Sequence, residues 1–252
     1  MSQRPRLGAP ADRLDVDLPT VAENLALDEA LLAEAHAGRL ASPVVRTWMP
    51  RRPTVVLGSS SHVAREIDLE ACRAEGIDVV RRPSGGLTVV IGPGCLMWSV
   101  VAAVPEASPA IDQLHAMMLD PLCEAISAAG RRVIRRGSSD LALEVDGDER
   151  KVSGNALRVR RHAVLYHGTL LDDFDLDLIS RLLRHPPREP DYRAGRGHGA
   201  FLANLAVGRV ALERAVHGAF AAETVRLQWS PETVAMLVHE RYLEASWTQR
   251  LP

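Results

Sequence analysis

Apolar residues change their spacing several times along the chain, and each change marks an element. Thr20 with Glu23 makes a capping-box pair, which opens a predicted helix through Asn24, Asp28 and Leu32 to about Ala37. Gly38 and Pro43 stop that helix. Val44 to Met49 and Thr54 to Leu57 read as strands around a proline-containing turn, and Asp68 to Glu75 as a short helix ended by Gly76. Ile77 to Arg82, Thr88 to Ile91 and Leu96 to Ala103 predict further strands. The glycine turns Ser84-Gly85-Gly86 and Gly92-Pro93-Gly94 separate them. Residues 109 to 129 predict a helix.

The clearest alternation lies between Ser138 and Asn155. Asp146-Gly147 stands between two alternating runs, the mark of a two-residue hairpin. In that register Ala142 faces Lys151, Asp140 faces Ser153 and Ser138 faces Asn155. One side then carries these six residues, and the other carries Leu141, Leu143, Val145 and Val152. Asp140 becomes the diagonal neighbour of Lys151, roughly 7–8 Å away and within reach of a lysine side chain. A solvated hairpin face meets the same pattern. His162 to Leu171 predicts a strand, Asp175 to Arg184 a short helix, and His185 to Gly199 an irregular loop. Two helices close the chain, around Arg209 to Thr224 and Pro231 to Ser246. Strands that run first, with helices packed on one side, predict an α+β fold with a mixed or antiparallel central sheet, not a doubly wound parallel one.

Composition narrows the picture. The 252 residues are 46% hydrophobic and 25% charged with a formal net charge of −2, so no global field recruits nucleic acid or an anionic membrane. The polar, proline-containing start, Met1 to Asp17, reads as a frayed arm without a signal-peptide core, and no apolar run reaches the ~18 residues of a membrane span. Three cysteines, Cys72, Cys95 and Cys123, lack metal-site spacing, and a reducing cytoplasm is the simplest reading. Lysine and arginine total 30, yet only Lys151 is lysine. A chain that uses arginine as its cation everywhere else has kept a compact ammonium at one place. Asparagine is also scarce, occurring only at Asn24, Asn155 and Asn204.

Arg81-Arg82-Pro83-Ser84-Gly85-Gly86-Leu87-Thr88-Val89 puts two guanidinium groups beside a glycine turn, where backbone N–H groups can approach a phosphate. The run fits neither a Walker P-loop nor a Rossmann fingerprint. Three further segments accompany it: Lys151-Val152-Ser153-Gly154-Asn155-Ala156, Leu165-Tyr166-His167-Gly168-Thr169-Leu170, and Asp191-Tyr192-Arg193 through Arg196, His198 and Phe201 to Asn204-Leu205. With Asn24 to Leu32, these resemble the lipoate–protein ligase and biotin ligase catalytic-domain family, most closely its lipoate ligases, from about Asn24 to Leu205.

The resemblance implies a class II aminoacyl-tRNA synthetase/biotin synthetase-like fold. It implies an arm over 1–18 and one catalytic domain over 19–252, without the C-terminal accessory domain of longer ligases. The implied activity joins lipoate to ATP as lipoyl-AMP, with Mg2+, and transfers the lipoyl group to a lysine of an acceptor. Acceptors would be lipoyl-domain proteins, the E2 subunit of a 2-oxo acid dehydrogenase or an H-like glycine-cleavage carrier. A separate accessory subunit is one of the arrangements left open. Residue by residue, Arg81, Ser84, Gly85, Gly86, Thr88 and Val89 would line the adenylate phosphates and the acyl carboxylate. Lys151 would bridge that carboxylate and the α-phosphate, with Ser153, Gly154 and Asn155 shaping the pocket. Asp140 would lie near the nucleotide or its magnesium, Arg82 and His167 would face the acyl group with Gly86 and Lys151, and Arg193 would close over the adenylate. No metal site made wholly of protein groups is assigned.

Two departures stand out. Leu87 replaces a third glycine of the turn, and Gly92-Pro93 replaces a His-Asp pair. They motivate a non-catalytic paralogue as one alternative. Octanoyl- or lipoyl-transferases of the same fold, which attack with a cysteine thiol, are the other. Here no cysteine follows Cys123, and Cys95 reads as a buried strand-start residue.

Overall fold

The computed structural model describes residues 10–104 and 109–252. Its first elements are β1 (Asp12–Arg13), α1 (Val21–His36), β2 (Val44–Trp48), β3 (Thr54–Leu57), α2 (Val63–Glu66) and α3 (Leu69–Ala74). Then come β4 (Asp78–Arg81), β5 (Val89–Ile91), β6 (Cys95–Ala103), α4 (Ile111–Ala128), β7 (Ile134–Arg136), β8 (Asp140–Val145), β9 (Asp148–Arg160) and β10 (Ala163–Leu171). The chain closes with α5 (Leu176–Leu182), α6 (His198–Phe201), α7 (Arg209–Ala219), β11 (Thr224–Val225), α8 (Pro231–Leu237) and α9 (Ala245–Thr248).

Eight strands form one mixed sheet in the order β11-β1-β2-β6-β10-β9-β8-β7, and β4-β3-β5 form a small second sheet. The fold is α+β, as the pattern predicts. Helices cover both faces, however, rather than one. On β6, Met97 and Val101 join the core beneath α1, while Leu96, Trp98 and Val100 join a second core with α4 and α7. A strand buried on both faces has no reason to alternate, which is why Leu96 to Ala103 is apolar at every position but Ser99.

Helix α1 opens with the expected capping box: Glu23 N–H donates to Thr20 Oγ1 and Thr20 N–H to Glu23 Oε2. It is buried from Val21 to Leu32 except for Glu23, and so carries Asn24, Asp28 and Glu29 into the interior. The hairpin turn falls at Asp146-Gly147, with φ of 54° and 85°. Its register departs from expectation past Lys151. Ala142 pairs with Lys151, but Leu141 pairs with Ser153 and Asp140 with Gly154, because a bulge leaves Val152 unpaired. A bulge flips which face the following residues present, so Ser153 is buried rather than aligned with Lys151. Leu141, Leu143 and Val152 enter the core as the alternation predicts.

Other differences have physical causes. Residues 1–9 of the expected arm lie outside the described residues. Asp12–Arg13 is not frayed: it pairs in parallel with both β2 and β11, and Leu14 N–H donates to Val45 O. The helix predicted to reach Thr224 ends at Ala219, and the chain turns so that Thr224–Val225 can join the sheet edge. The helix predicted over 231–246 breaks at a π-type turn, Val238–Tyr242, which buries Tyr242. The 185–199 loop contains a 3-10 turn at Asp191–Arg193 and leads into α6. No helix among the described residues is long and apolar enough to cross a membrane.

Candidate active site

Strand β9 brings Lys151 into the wall of a cleft of about 430 Å³ and of an adjoining cavity of about 140 Å³. Both volumes are bounded by Leu87, Thr88, Val89, Lys151, Gly154 and Thr169. The larger cleft has an apolar part, made by Leu25, Trp48, Val56 and Met97, and a polar part with Asp28, Arg82, Asp140, Asn155 and His167. A cavity of this size with convergent polar groups is the usual form of a small-molecule site.

The ammonium of Lys151 lies 2.8 Å from Asp140 Oδ1. Gly154 makes room for it. A Cβ there would lie 3.1 Å from both Cε and Nζ of Lys151, so the absent side chain is what lets the lysine fold back over its own strand. Tyr192 donates to the other oxygen of Asp140 at 3.0 Å. Burial and that carboxylate push the Tyr192 phenol well above its ordinary value, which keeps it a donor. The 185–199 loop is thereby tied to the hairpin, and its Arg188, Glu189 and Pro190 form part of the cleft wall. Tyr192→Phe removes one neutral-to-charged hydrogen bond. It should lower stability by about 1.5–3 kcal/mol at most, a Tm shift of roughly 3–12 °C in a calorimetric scan.

The glycine turn is held from beneath by Arg82. Its Nε donates to Ser84 Oγ at 3.0 Å, Nη2 to Gly85 O and Leu87 O, and Nη1 to Val56 O. Burial lowers the Arg82 guanidinium to about 10, still charged at neutral pH. Gly86 sits at φ 82°, and its carbonyl oxygen lies 1.9 Å from where a Cβ of Gly58 would be. Only glycine at both positions permits that backbone approach. Glu66 braces the far side, accepting from Ser61 Oγ, His62 N, and Thr88 N and Oγ1.

His167 joins two networks. Its Nε2 is 2.6 Å from Ser84 Oγ, and its Nδ1 is 3.8 Å from Asp28 Oδ2. Burial pushes the Asp28 carboxyl upward, but Arg46, then His167 and Ser99, hold it below its ordinary value. Arg46 Nη1 contacts Asp28 Oδ1, and its Nη2 donates to Asn24 Oδ1.

The expected site residues divide cleanly. Arg82, Gly86, Thr88, Val89, Asp140, Lys151, Asn155 and His167 bound the larger cleft, and Arg193 bounds the smaller one. Ser84 and Ser153 are wholly buried and act through their neighbours, while Gly85 lends its carbonyl to Arg82. Arg81 departs from expectation. Successive residues at the end of β4 point to opposite faces, so Arg81 turns away from the cleft. Its guanidinium is committed to the carbonyls of Gly58, Ser61 and Thr248. Two of the three asparagines are structural clips as well. Asn24 ties α1 to Leu18 and Thr20, and Asn204 brackets the backbone of Phe174. The cleft residues that went unassigned include Asp28, Trp48, Met97 and Trp98. Asp28, a carboxylate within a mostly apolar helix, was the one visible signal among them. Gly92 packs against Pro53 and Phe174 outside both cavities, and among the described residues no cluster of three or more His, Cys, Asp or Glu could hold a metal.

The mixed sheet and its flanking helices have the lipoate ligase-type fold. The chain superposes with TM-score 0.82 on a bi-partite lipoate protein ligase from Thermoplasma acidophilum, at 22% identity over 96% of this chain and 97% of that one. A lipoate-protein ligase A bound with ATP gives TM-score 0.79 at 22% identity, over 97% and 100%. Residues 20–209 match the lipoyl protein ligase A/B catalytic domain, and the chain belongs to that family. Among relatives, an octanoyltransferase LipM from Symbiobacterium thermophilum is 34% identical over 191 residues, 68% of each chain. A protein provisionally named lipoate-protein ligase A from Aeropyrum pernix is 34% identical over 160 residues, 64% of this chain and 57% of that one. The chain is an enzyme of the lipoate ligase and octanoyltransferase family.

Proposed function

We propose that the protein is a lipoate–protein ligase that activates lipoate with ATP and transfers the lipoyl group to a lysine of a lipoyl-domain acceptor. The observation that carries this reading is the ammonium of Lys151, shared by two cavities that no cysteine bounds among the described residues. The apolar part of the larger cleft suits an acyl chain, whose carboxylate would then lie at the polar end near Lys151. Lys151 then offsets the repulsion between two anionic reactants, and gains further as charge builds on the five-coordinate α-phosphorus. The carboxylate oxygen bonds to that phosphorus and pyrophosphate leaves. In the second step the acceptor amine bonds to the acyl carbonyl, AMP leaves and an amide forms. Pro190 and its neighbours limit the water that would hydrolyse the mixed anhydride.

Among the described residues Asp140 is the one carboxylate of the cleft wall in contact with Lys151, and it would hold magnesium together with substrate phosphates. One or two carboxylates plus phosphate oxygens are the usual magnesium environment, where the ion neutralises phosphate charge. Acceptors of the expected kind are the E2 subunit of a 2-oxo acid dehydrogenase or an H-like glycine-cleavage carrier. The Thermoplasma structure, which concerns a bi-partite ligase and its E2 lipoyl domain, supports that choice and the idea of an accessory subunit.

The octanoyltransferase reading has the names of several relatives in its favour. A thioester route needs a thiolate in the cleft. Cys95 begins β6 with its side chain fully buried, and burial pushes its thiol up to about 12. Cys123, on α4, is also pushed up to about 12 by burial, and Cys72 is buried. Cys95→Ser should therefore keep its turnover per folded molecule while losing about 1–3 kcal/mol of stability to a buried hydroxyl. Abolished acyl transfer in a folded Cys95→Ser protein would favour the transferase. The ligase itself is tested by mass spectrometry of lipoyl domains incubated with enzyme, ATP, magnesium and a mixture of lipoate, octanoate and biotin. An added lipoyl mass is the expected result, and unmodified domains would count against the proposal.

A further inference from the structure

A third cavity, of about 230 Å³, lies apart from the reaction cleft. Arg158, Arg160, Arg241 and Arg250 surround it, with Trp247, Pro83 and the single carboxylate of Glu29. Glu29 is already engaged, accepting from Arg241 and from Tyr242 Oη. The guanidinium groups of Arg241 and Arg250 stack on the Trp247 ring, 4.8 and 4.3 Å from its centroid. Arg158 and Arg160, two apart on β9, project to one side of the strand, and their side chains have no hydrogen-bond or ion-pair partner among the described residues. Four cations around one neutralised acid leave a local excess of positive charge in a protein whose formal net charge is −2. Arg81 registers it: burial first, then Arg250, lowers its guanidinium below the ordinary value.

This concentration has no structural use that would account for all of it. Arg241 holds Glu29 and Arg250 donates to Ser59 O, but Arg158 and Arg160 serve no internal contact. Unpaired like charges on one strand face repel unless something outside the chain neutralises them. Arginine forks suit carboxylates, and Pro83 joins this cavity to the segment that forms the glycine turn. Along β9, Arg158 and Arg160 stand roughly 23 and 30 Å from Lys151 at ~3.3 Å per residue, a span that one small domain can cover.

We propose that the four-arginine cavity is the docking point for an acidic, carboxylate-bearing segment of the acceptor protein. The proposal rests on the reading above in taking the acceptor to be a lipoyl-domain protein. The two arginines without internal partners supply long-range attraction, and the Trp247 stack holds the other two in place for a seated carboxylate.

The test is the double variant Arg158→Glu/Arg160→Glu, with Arg158→Lys/Arg160→Lys beside it. The dissociation constant of an apo-lipoyl domain is measured by calorimetry at two salt concentrations, which requires no turnover. Charge reversal should weaken binding at least about tenfold and flatten its salt dependence, and the lysine pair should keep most of the affinity. An unchanged Tm and unchanged lipoate-dependent ATP–pyrophosphate exchange would show that fold and adenylation are intact. Affinity within about twofold of the wild type overturns the proposal. So does competition by inorganic phosphate at the cavity with no effect of charge reversal on the domain, which marks a small-anion site. Wild-type protein that binds the domain but shows no exchange would defeat the ligase reading, leaving the docking result to stand on its own.

Discussion

Lys151→Arg is expected to fold normally and to form lipoyl-AMP about a thousandfold more slowly than the wild type. The folding half follows from Asp140. Either cation can face that carboxylate, and the pair is partly exposed, with Lys151 at 26% and Asp140 at 11% side-chain exposure. The catalytic half follows from shape. The lysine ammonium occupies space left free by Gly154, 3.1 Å from where a Cβ would stand. A planar guanidinium needs a broader approach and places its charge over several atoms, so it cannot sit between two anions as a point charge does. Every other cation in this chain is arginine, so tolerance of arginine in general is not in question. Single-turnover formation of the adenylate, with Tm measured on the same preparation, checks both halves.

Arg46→Ala should be the most destabilising of the substitutions considered, lowering the free energy of unfolding by about 3–5 kcal/mol and Tm by roughly 10 °C or more. The reason is Asp28. Its side chain is 2% exposed, and Arg46, itself wholly buried, is its charged partner in the interior. Ser99 and His167 cannot replace a full positive charge. Asp28→Asn in the same chain should restore part of the loss, because it removes the stranded charge. The pH dependence has a definite sign. A carboxyl held below its ordinary 3.8 adds stability that is fully present above that value and is lost as pH falls through the lower folded-state value. Without Arg46 the burial that raises the Asp28 carboxyl is no longer opposed by its main counter-charge. The difference between wild type and variant should therefore narrow on acidification, beginning as pH falls through the variant's raised Asp28 value and closing below the wild type's lowered one. Urea titrations across that range measure it.

Much of the architecture could be read from spacing. The Asp146-Gly147 turn, the capping box at Thr20 and the largely apolar run of β6 are local signals, and each appears where it was expected. What spacing could not show is long-range. Nothing in the alternation marks Val152 as the extra residue of a bulge, since an apolar residue suits both registers. β1 and β11 form only because two distant dipeptides meet at a sheet edge. Arg81 and Arg82 were both expected at the cleft, and alternation says only that they part company. Which one meets the cleft depends on how the small sheet packs. The rarity of lysine pointed to the cleft, whereas the rarity of asparagine did so at Asn155 and marked backbone clips at Asn24 and Asn204. Tyr192 was read within a motif, but its bond to Asp140 depends on a fold of the loop that no pattern specifies.

On the proposed reading, Lys151 lets a carboxylic acid and ATP react before any acceptor is present. Lipoate-dependent exchange of labelled pyrophosphate into ATP, run without acceptor protein, isolates that step. Exchange that requires lipoate and is abolished in folded Lys151→Arg is the predicted result. Absence of exchange with lipoate or octanoate, in a preparation that still passes an octanoyl group from a thioester donor to a lipoyl domain, would contradict it.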